Sequence, residues 1–236
     1  MLSKITIAID GYAACGKSTL AKVLAHKLGY IYVDSGAMYR AVTLYFLENG
    51  IDFADEQSVK NALQHIDISF KVEQGKNQTY LNGENVEAKI RDMRVSNQVS
   101  YVSAISAVRR AMVARQQEFG LEGGLAMDGR DIGTVVFPKA ELKLFMTASI
   151  AVRTQRRAEE LARNGVTNLT FQEIQDNLLQ RDHIDSTRKD SPLTKADDAI
   201  VIDNSTLTPD EQADVAYKLV LETIANKEKQ LANVAM

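Results

Sequence analysis

The stretch Gly11-Tyr12-Ala13-Ala14-Cys15-Gly16-Lys17-Ser18 constrains the fold more than any other part of the chain. It matches G-x-x-x-x-G-K-[ST], the pattern of a loop whose backbone N–H groups surround phosphate oxygens. Such a loop requires a strand before it and a helix after it. An apolar run at 5–9 precedes the motif, and good helix formers occupy 19–28. The sequence therefore predicts a strand–loop–helix unit in which the helix dipole also attracts phosphate.

Three side chains are predicted to act on the bound phosphates. The Lys17 ammonium can reach the terminal phosphates, and the Ser18 hydroxyl is a suitable ligand for Mg²⁺ in such a loop. Asp128 closes the apolar strand predicted at 125–127, where enzymes with this loop keep an acid associated with Mg²⁺. Asp10 also closes a strand, but for this residue the role of a turn-capping carboxylate is at least as good an explanation.

Apolar runs at 5–9, 30–33, 125–127, 142–146 and 199–202 are predicted strands. They are nearly uninterrupted, which is typical of strands buried on both faces of a parallel sheet. Between them, the sequence predicts helices at 37–49, 92–119 (with a second helix starting at 106), 171–182 and from Pro209 to about 226. Strands that alternate with helices predict an α/β fold with a doubly wound, five-stranded parallel sheet and right-handed crossovers.

The texture of the sequence changes between about 53 and 91. A short helix is predicted at 56–65, followed by strands at 68–72 and 79–81 with a turn at 74–77. Asn82-Gly83 is a strong signal for a two-residue hairpin. This region is therefore predicted to be a small antiparallel sheet inserted into the α/β core.

Arginines occur at strand ends and helix turns along the chain. A planar guanidinium binds phosphate oxygens bidentately and keeps its charge, so these positions suggest contacts to a phosphoryl group. A solvated surface arginine would explain any one of them, but it explains the set poorly. The set is Arg40, Arg109, Arg130, Arg181 and Arg188.

A strongly basic helix is predicted to contain Arg153, Arg156, Arg157 and Arg163. We expect it to be a lid that closes over the phosphates and excludes water. The alternative is a solvated charged face, because Glu159 and Glu160 lie among the arginines.

Bulk properties exclude several classes of protein. The net charge of −3 over 236 residues argues against a general nucleic-acid binder. Cys15 is the only cysteine, which fits a reducing cytoplasm, and no apolar run is long enough to cross a membrane. The first residues, 1–4, run directly into a strand pattern, so we expect no secretory leader. We expect a cytoplasmic monomer without nucleic-acid or membrane partners.

The chain resembles the bacterial cytidylate kinase family over nearly its whole length. The matching residues are Ile9-Asp10-Gly11 with the phosphate loop, Asp34-Ser35-Gly36-Ala37-Met38-Tyr39-Arg40, the run at 128–138, and Arg181-Asp182 through Asp185 to Arg188. The run Asp-Gly-Arg-Asp-Ile-Gly-Thr-Val-Val-Phe-Pro is highly specific, whereas the phosphate loop alone would not choose among families.

The resemblance implies one nucleoside monophosphate kinase domain over 1–236. Its core would span 1–52, 92–150 and 183–236, the insertion that binds the monophosphate about 53–91, and the lid about 151–182. It also implies transfer of the γ-phosphoryl group of ATP to CMP or dCMP, with Mg²⁺. A kinase for another monophosphate such as UMP is one alternative. A nucleotide-binding switch protein is another, but the guanine-recognising Asn-Lys-x-Asp is matched only by 226–229, which lacks the Asp.

The resemblance also implies a role for each matching residue. ATP would be bound by Gly11, Tyr12, Ala13, Ala14, Cys15, Gly16, Lys17, Ser18 and Thr19. In the acceptor site, Arg40, Arg130 and Arg188 would hold the phosphate, Arg181 and Asp185 the ribose, and Ser35, Ser100, Arg109 and Asp131 the cytosine. The catalytic residues would be Lys17, Arg130, Arg188, Arg157 and Asp128, with Ser18 and Asp128 at Mg²⁺.

Two loop positions depart from the family pattern. Tyr12 stands where proline is usual, which could alter the rigidity of the loop. Cys15 stands where a small, inert residue is usual; beside Lys17 at a helix N-terminus it could be a reactive thiolate, or it could be a quiet buried thiol.

Overall fold

Strands and helices alternate along the chain in a computed structural model that describes residues 3–73 and 75–234. In this part of the chain the strands are β1 (Thr6–Gly11), β2 (Ile31–Asp34), β3 (Ile68–Glu73), β4 (Lys76–Leu81), β5 (Glu84–Asn85), β6 (Leu125–Asp128), β7 (Leu142–Thr147) and β8 (Ile200–Asp203). The α-helices are α1 (Lys17–Leu28), α2 (Ser35–Glu48), α3 (Glu56–Leu63), α4 (Met93–Ala104), α5 (Ser106–Glu118), α6 (Ile150–Arg163), α7 (Phe171–Thr187) and α8 (Pro209–Val234). A π-helical turn spans Ile132–Val136. Two predictions fall partly outside the described residues. The start of the chain, where we expect no leader, includes residues 1 and 2, and the predicted turn includes Gln74.

The five uninterrupted apolar strands form one parallel sheet, as predicted. Its order is β2-β6-β1-β7-β8, so the strand before the phosphate loop lies at the centre. Ile7, Ala8 and Ile9 of β1 are completely buried because helices cover both faces. On one face Ile7 and Ile9 pack in a cluster that includes Leu20 of α1. On the other face Ala8 packs in a cluster that includes Met38 of α2. The sheet is therefore doubly wound.

The predicted insertion is a three-stranded antiparallel sheet in the order β3-β4-β5. The hairpin prediction at Asn82-Gly83 is confirmed, since Leu81 pairs with Glu84 and both turn residues have positive φ, 51° and 84°. The second strand begins at Lys76, earlier than the predicted 79, so the preceding turn is shorter than expected. The two-residue strand β5 was not predicted.

Two helices run further than their sequence patterns indicated. The helix predicted at 171–182 continues to Thr187, because Asp182 and Asp185 extend the buried face that begins with Ile174. The last helix was expected to end near 226 and continues to Val234. Its last buried apolar residue is Ile224, and beyond it good helix formers such as Ala, Lys and Glu continue the helix with mostly exposed side chains. None of the helices in the described ranges combines the length and apolarity needed to cross a membrane.

Gly11, at the end of β1, generates the first prediction. Its φ is +143°, and a Cβ atom there would lie 2.0 Å from the carbonyl oxygen of Met146. We expect Gly11→Ala to lower the free energy of unfolding, measured by urea denaturation, by about 3–5 kcal/mol. The reason is that the neighbouring strands β1 and β7 would have to move apart. The control is Gly29→Ala, where φ is +66° and a Cβ atom would have no neighbour within 4 Å. That change should cost only about 1–2 kcal/mol, and equal losses in the two variants would contradict this account.

Candidate active site

The phosphate loop leaves β1 and leads directly into α1, as its sequence predicts. Ala14 and Gly16 have positive φ values of 59° and 80°, which turn the backbone back on itself. Gly16 is the N-cap of α1, and no side chain caps the helix, so the N–H groups of the first turn are available to a ligand. The loop therefore has the backbone geometry of an anion site.

A cleft of about 2000 Å³ opens over this loop. Of the residues predicted to bind ATP, those in its wall are Ala13, Ala14, Cys15, Gly16, Lys17, Ser18 and Thr19. Gly11 and Tyr12 are not in the wall of the cleft, and their contact with ATP stays a prediction. Gly11 belongs to β1, and the Tyr12 ring packs edge-on against Phe145 at 5.9 Å between centroids.

Lys17 lies inside the loop rather than in solvent. Its ammonium donates a hydrogen bond of 2.6 Å to the carbonyl oxygen of Tyr12. Burial, together with the nearby charge of Arg130, lowers the pKa of Lys17 to about 8. The ammonium is therefore a poorly solvated cation, whose interaction with a phosphate would be weakly screened.

Ser18 and Asp128 meet at the carboxyl ends of two neighbouring strands. The Ser18 hydroxyl donates to Oδ2 of Asp128 at 2.8 Å, and the Tyr32 hydroxyl donates to Oδ1 at 2.9 Å. Burial raises the pKa of Asp128 to about 6, and the charge of Asp34 contributes in the same direction.

The chemistry of this pair fits Mg²⁺. A hydroxyl and a carboxylate are the hard oxygen ligands that this ion prefers, and Mg²⁺ usually binds one or two carboxylates together with substrate phosphates. Within residues 3–73 and 75–234, no group of three or more His, Cys, Asp and Glu side chains could hold a metal.

Beside the loop lies a cavity with about 440 Å³ of empty space. Its walls contain all nine residues expected at the acceptor: Ser35, Arg40, Ser100, Arg109, Arg130, Asp131, Arg181, Asp185 and Arg188. They come from α2, α4, α5, the segment after β6, and the end of α7. Tyr39 and Ser103 also line the cavity and were not predicted from the sequence. The available signal for Tyr39 was its place next to Arg40 in the 34–40 stretch.

Alternating charges connect these walls. Arg130 Nε donates to Asp185 at 2.8 Å, and Asp185 also lies 3.4 Å from Arg188. Arg188 lies 3.7 Å from Asp131, which also pairs with Arg109. We call this chain of contacts, from Arg109 to Arg130, the arginine–aspartate ladder. Its members other than Arg130 have side chains no more than 5% exposed.

The cavity carries an excess of positive charge. Arg40 donates to the carbonyl of Ile90 and the hydroxyl of Ser96, and neither it nor Arg181 pairs with a carboxylate in the described residues. Burial lowers the pKa of Arg181 to about 10, with Arg130 adding to the effect, and it lowers the pKa of Arg40 as well. Five guanidinium groups face two carboxylates, so the cavity is built to receive an anion.

Asp10 is a turn-capping carboxylate, one of the two explanations the sequence left open. It accepts hydrogen bonds from the backbone N–H groups of Ile132 and Gly133 at 2.8 and 2.7 Å. Burial raises its pKa to about 6. These contacts fix the π-helical turn that directly follows Asp131, so Asp10 acts on the cavity through the position of Asp131.

The basic helix α6 is neither a uniformly solvated face nor a uniform set of phosphate ligands. Arg153, expected with the other arginines, is buried and pairs with Asp182. Arg156 donates to the side chain and the backbone carbonyl of Asn204. Arg156, Arg157 and Arg163 all line the cleft. That this segment is a lid stays a prediction.

Cys15 is completely buried in the apolar cluster beneath the loop. This placement favours the quiet buried thiol over the reactive thiolate.

A parallel sheet with a phosphate loop on its central strand, next to a cationic cavity, defines a P-loop kinase. The sequence profile of the family described as cytidylate kinase matches residues 7–222. The chain belongs to the cytidylate kinase family, as the resemblance indicated.

Curated relatives of this chain carry the same description. A cytidylate kinase of Bacteroides fragilis is 59% identical over 216 residues, which cover 89% of this chain and 94% of the relative. One of Bacteroides thetaiotaomicron is 57% identical over the same shares of both chains. One of Flavobacterium psychrophilum is 52% identical over 230 residues, 95% of this chain and 100% of the relative.

The raised pKa of Asp128 generates the second prediction. The folded protein keeps this proton up to a pH of about 6, whereas the reference carboxyl titrates near 3.8. The contribution of Asp128 to the free energy of unfolding should therefore fall as the pH rises between these two values, by an amount on the order of a few kcal/mol. Asp128→Asn lacks this titration, so without nucleotide or metal it should gain stability relative to the unmodified protein from pH 4 to 7.

Thermal unfolding across this pH range is the measurement. The control is Asp214→Asn, because the Asp214 side chain is 79% exposed. That variant should follow the unmodified protein at every pH. If the stability difference between Asp128→Asn and the unmodified protein does not change with pH, the raised pKa of Asp128 would be contradicted.

Proposed function

We propose that this protein is a cytoplasmic, monomeric kinase that transfers the γ-phosphoryl group of ATP to CMP or dCMP, giving ADP and CDP or dCDP. The observation that carries the proposal is the cavity beside the phosphate loop, whose walls contain every residue expected at the acceptor. Membership of the cytidylate kinase family supports the same reaction. We also propose one domain over 1–236, with the insertion at about 53–91 and the lid at about 151–182 closing on the core.

The acceptor phosphate is held by Arg40, Arg130 and Arg188. Each guanidinium can meet two phosphate oxygens, and each keeps its charge when water is excluded. The excess of guanidinium over carboxylate groups in the cavity offsets the repulsion between two polyanions that must come into contact. Arg181 and Asp185 lie at the ribose.

Cytosine is recognised by Asp131, Arg109, Ser100 and Ser35. Its exocyclic amine is a donor that the Asp131 carboxylate accepts, and its ring acceptors suit a guanidinium or a hydroxyl. Arg109 and Asp131 are 2% exposed. A base that could not hydrogen-bond with these groups would be rejected, because its own polar atoms would lose water without compensation.

The donor lies over the loop between 11 and 19. Backbone N–H groups bind its phosphates, Lys17 neutralises the transferred group, and Arg157 approaches it from α6. Ser18 and Asp128 would hold Mg²⁺, Asp128 directly or through water. When bound, this ion neutralises charge on the phosphate oxygens.

The test is to incubate purified protein with ATP and Mg²⁺ and with CMP, dCMP, UMP, AMP or GMP, and to measure ADP and diphosphate products. We expect CMP and dCMP to be phosphorylated with the highest kcat/KM. A preference for UMP would indicate the alternative monophosphate kinase. ATP or GTP turnover that no acceptor stimulates would indicate a switch protein.

Arg130 generates the third prediction. Arg130→Lys keeps the charge but loses the bidentate geometry, so kcat with CMP should fall by about 10²–10³-fold. The control is Arg115→Lys on α5, an exposed arginine that pairs with Asp67 and Glu118. It should leave kcat within about twofold of the unmodified value. Near-normal turnover in Arg130→Lys would remove this residue from the phosphate site.

A further inference from the structure

Both backbone groups of Ala13 in the phosphate loop are bound by side chains of helices that lie far away in the sequence. The Ala13 N–H donates to Oδ1 of Asp182 on α7 at 3.1 Å. The Ala13 carbonyl oxygen accepts from Nη1 of Arg153 on α6 at 3.4 Å. The same Nη1 also pairs with Oδ2 of Asp182. One ion pair therefore holds both sides of a loop residue.

This ion pair is buried, and further contacts fix the orientation of Arg153. Arg153 and Asp182 are 6% and 8% exposed. Arg153 Nε donates to the carbonyl oxygen of Ala148 at 3.1 Å, and its guanidinium lies 5.2 Å from the centre of the Tyr12 ring. Because the pair is removed from water, its electrostatic hold on the loop is weakly screened.

These contacts determine which backbone amides of the loop can bind ATP. Since the N–H of Ala13 is already bound, the free amides of the loop begin at Ala14. The peptide before Ala13 is fixed as well, because the Tyr12 carbonyl accepts from Lys17 at 2.6 Å. A change in the orientation of Ala13 would therefore redirect both the amide cage and the lysine.

We propose that Asp182 and Arg153 are positioning residues for ATP, which hold the phosphate loop in its binding conformation. The inference rests on the proposed function for the identity of the two substrates. Neither side chain lies in the wall of the cleft over the loop or in that of the acceptor cavity. Their effect on ATP therefore acts through Ala13 and not through contact.

Asp182 can be changed without removing an acceptor contact. The residues of α7 in the acceptor cavity are Arg181, Asp185 and Arg188. Asp185 joins Arg130 and Arg188, whereas Asp182 joins Arg153 and Ala13. A loss of Asp182 should thus affect ATP more than CMP. If the pair served only to hold α6 against α7, the protein would lose stability without any such difference.

The experiment compares Asp182→Ala, Asp182→Asn and Arg153→Lys with the unmodified protein. The readouts are kcat, the KM values for ATP and CMP, and the Kd of a non-hydrolysable ATP analogue by calorimetry. The control is Asp198→Ala, which removes a carboxylate 2.9 Å from the buried Lys143, outside both cavities. It should leave both KM values and the analogue Kd unchanged, whatever its stability.

We expect Asp182→Ala to raise the KM for ATP and the analogue Kd about tenfold, and the KM for CMP less than twofold. Asp182→Asn should lie between, because its amide oxygen still accepts from Ala13 but no longer pairs with a charge. Arg153→Lys should also weaken the binding of the ATP analogue, since an ammonium cannot bind Ala13 and Asp182 in the same fork geometry.

Unchanged analogue affinity in all three variants would overturn the proposal, and so would an equal rise of both KM values. If Asp182→Ala fails to fold, normal analogue affinity in Asp182→Asn and Arg153→Lys would overturn it as well. Failure of the proposed function appears separately, as an unmodified protein that binds the analogue but phosphorylates neither CMP nor dCMP.

Discussion

The arrangement of the site depends on the arginine–aspartate ladder from Arg109 through Asp131, Arg188 and Asp185 to Arg130. Its members come from α5, the segment after β6, and α7, so the ladder joins elements that the sheet alone would not align. Burying a single guanidinium without a partner would be costly, whereas alternation gives each group an opposite charge. Because guanidinium groups outnumber carboxylates in the cavity, the balance is completed only when an anion binds.

The parallel sheet determines where the ladder meets the phosphate loop. Carboxyl ends of parallel strands lie at one edge, which is where α/β proteins bind their ligands. β1 and β6 are neighbours, so Ser18 after one strand and Asp128 at the end of the other come within 2.8 Å. Asp10 then connects the same edge to the turn behind Asp131. Burial raises the pKa of both Asp10 and Asp128, which means that the site is arranged at a cost to stability.

Local patterns predicted most of the fold, because the uniform burial of strands such as β1 and the positive φ of Asn82 and Gly83 have direct sequence signatures. The five acceptor arginines were indicated by their places at strand ends and helix turns, whereas their separate roles and the other acceptor residues were predictable only through the family motifs. Contacts between distant positions had no such signal. Asp182 accepts a hydrogen bond from Ala13, 169 positions earlier in the chain. Because such contacts are distant in sequence, local composition predicted neither the burial of Arg153 nor the continuation of α7 to Thr187. Asp10 had two explanations until its partners at 132 and 133 were known.

The central claim is that buried guanidinium groups beside the phosphate loop exist to bind the phosphate of the acceptor. Calorimetric titration with CMP and with cytidine, which lacks only that phosphate, tests it most directly. We predict that CMP binds at least about 100-fold more tightly than cytidine, since charge-assisted bonds to several guanidinium groups are lost with the phosphate. Equal affinities for the two ligands would contradict the account.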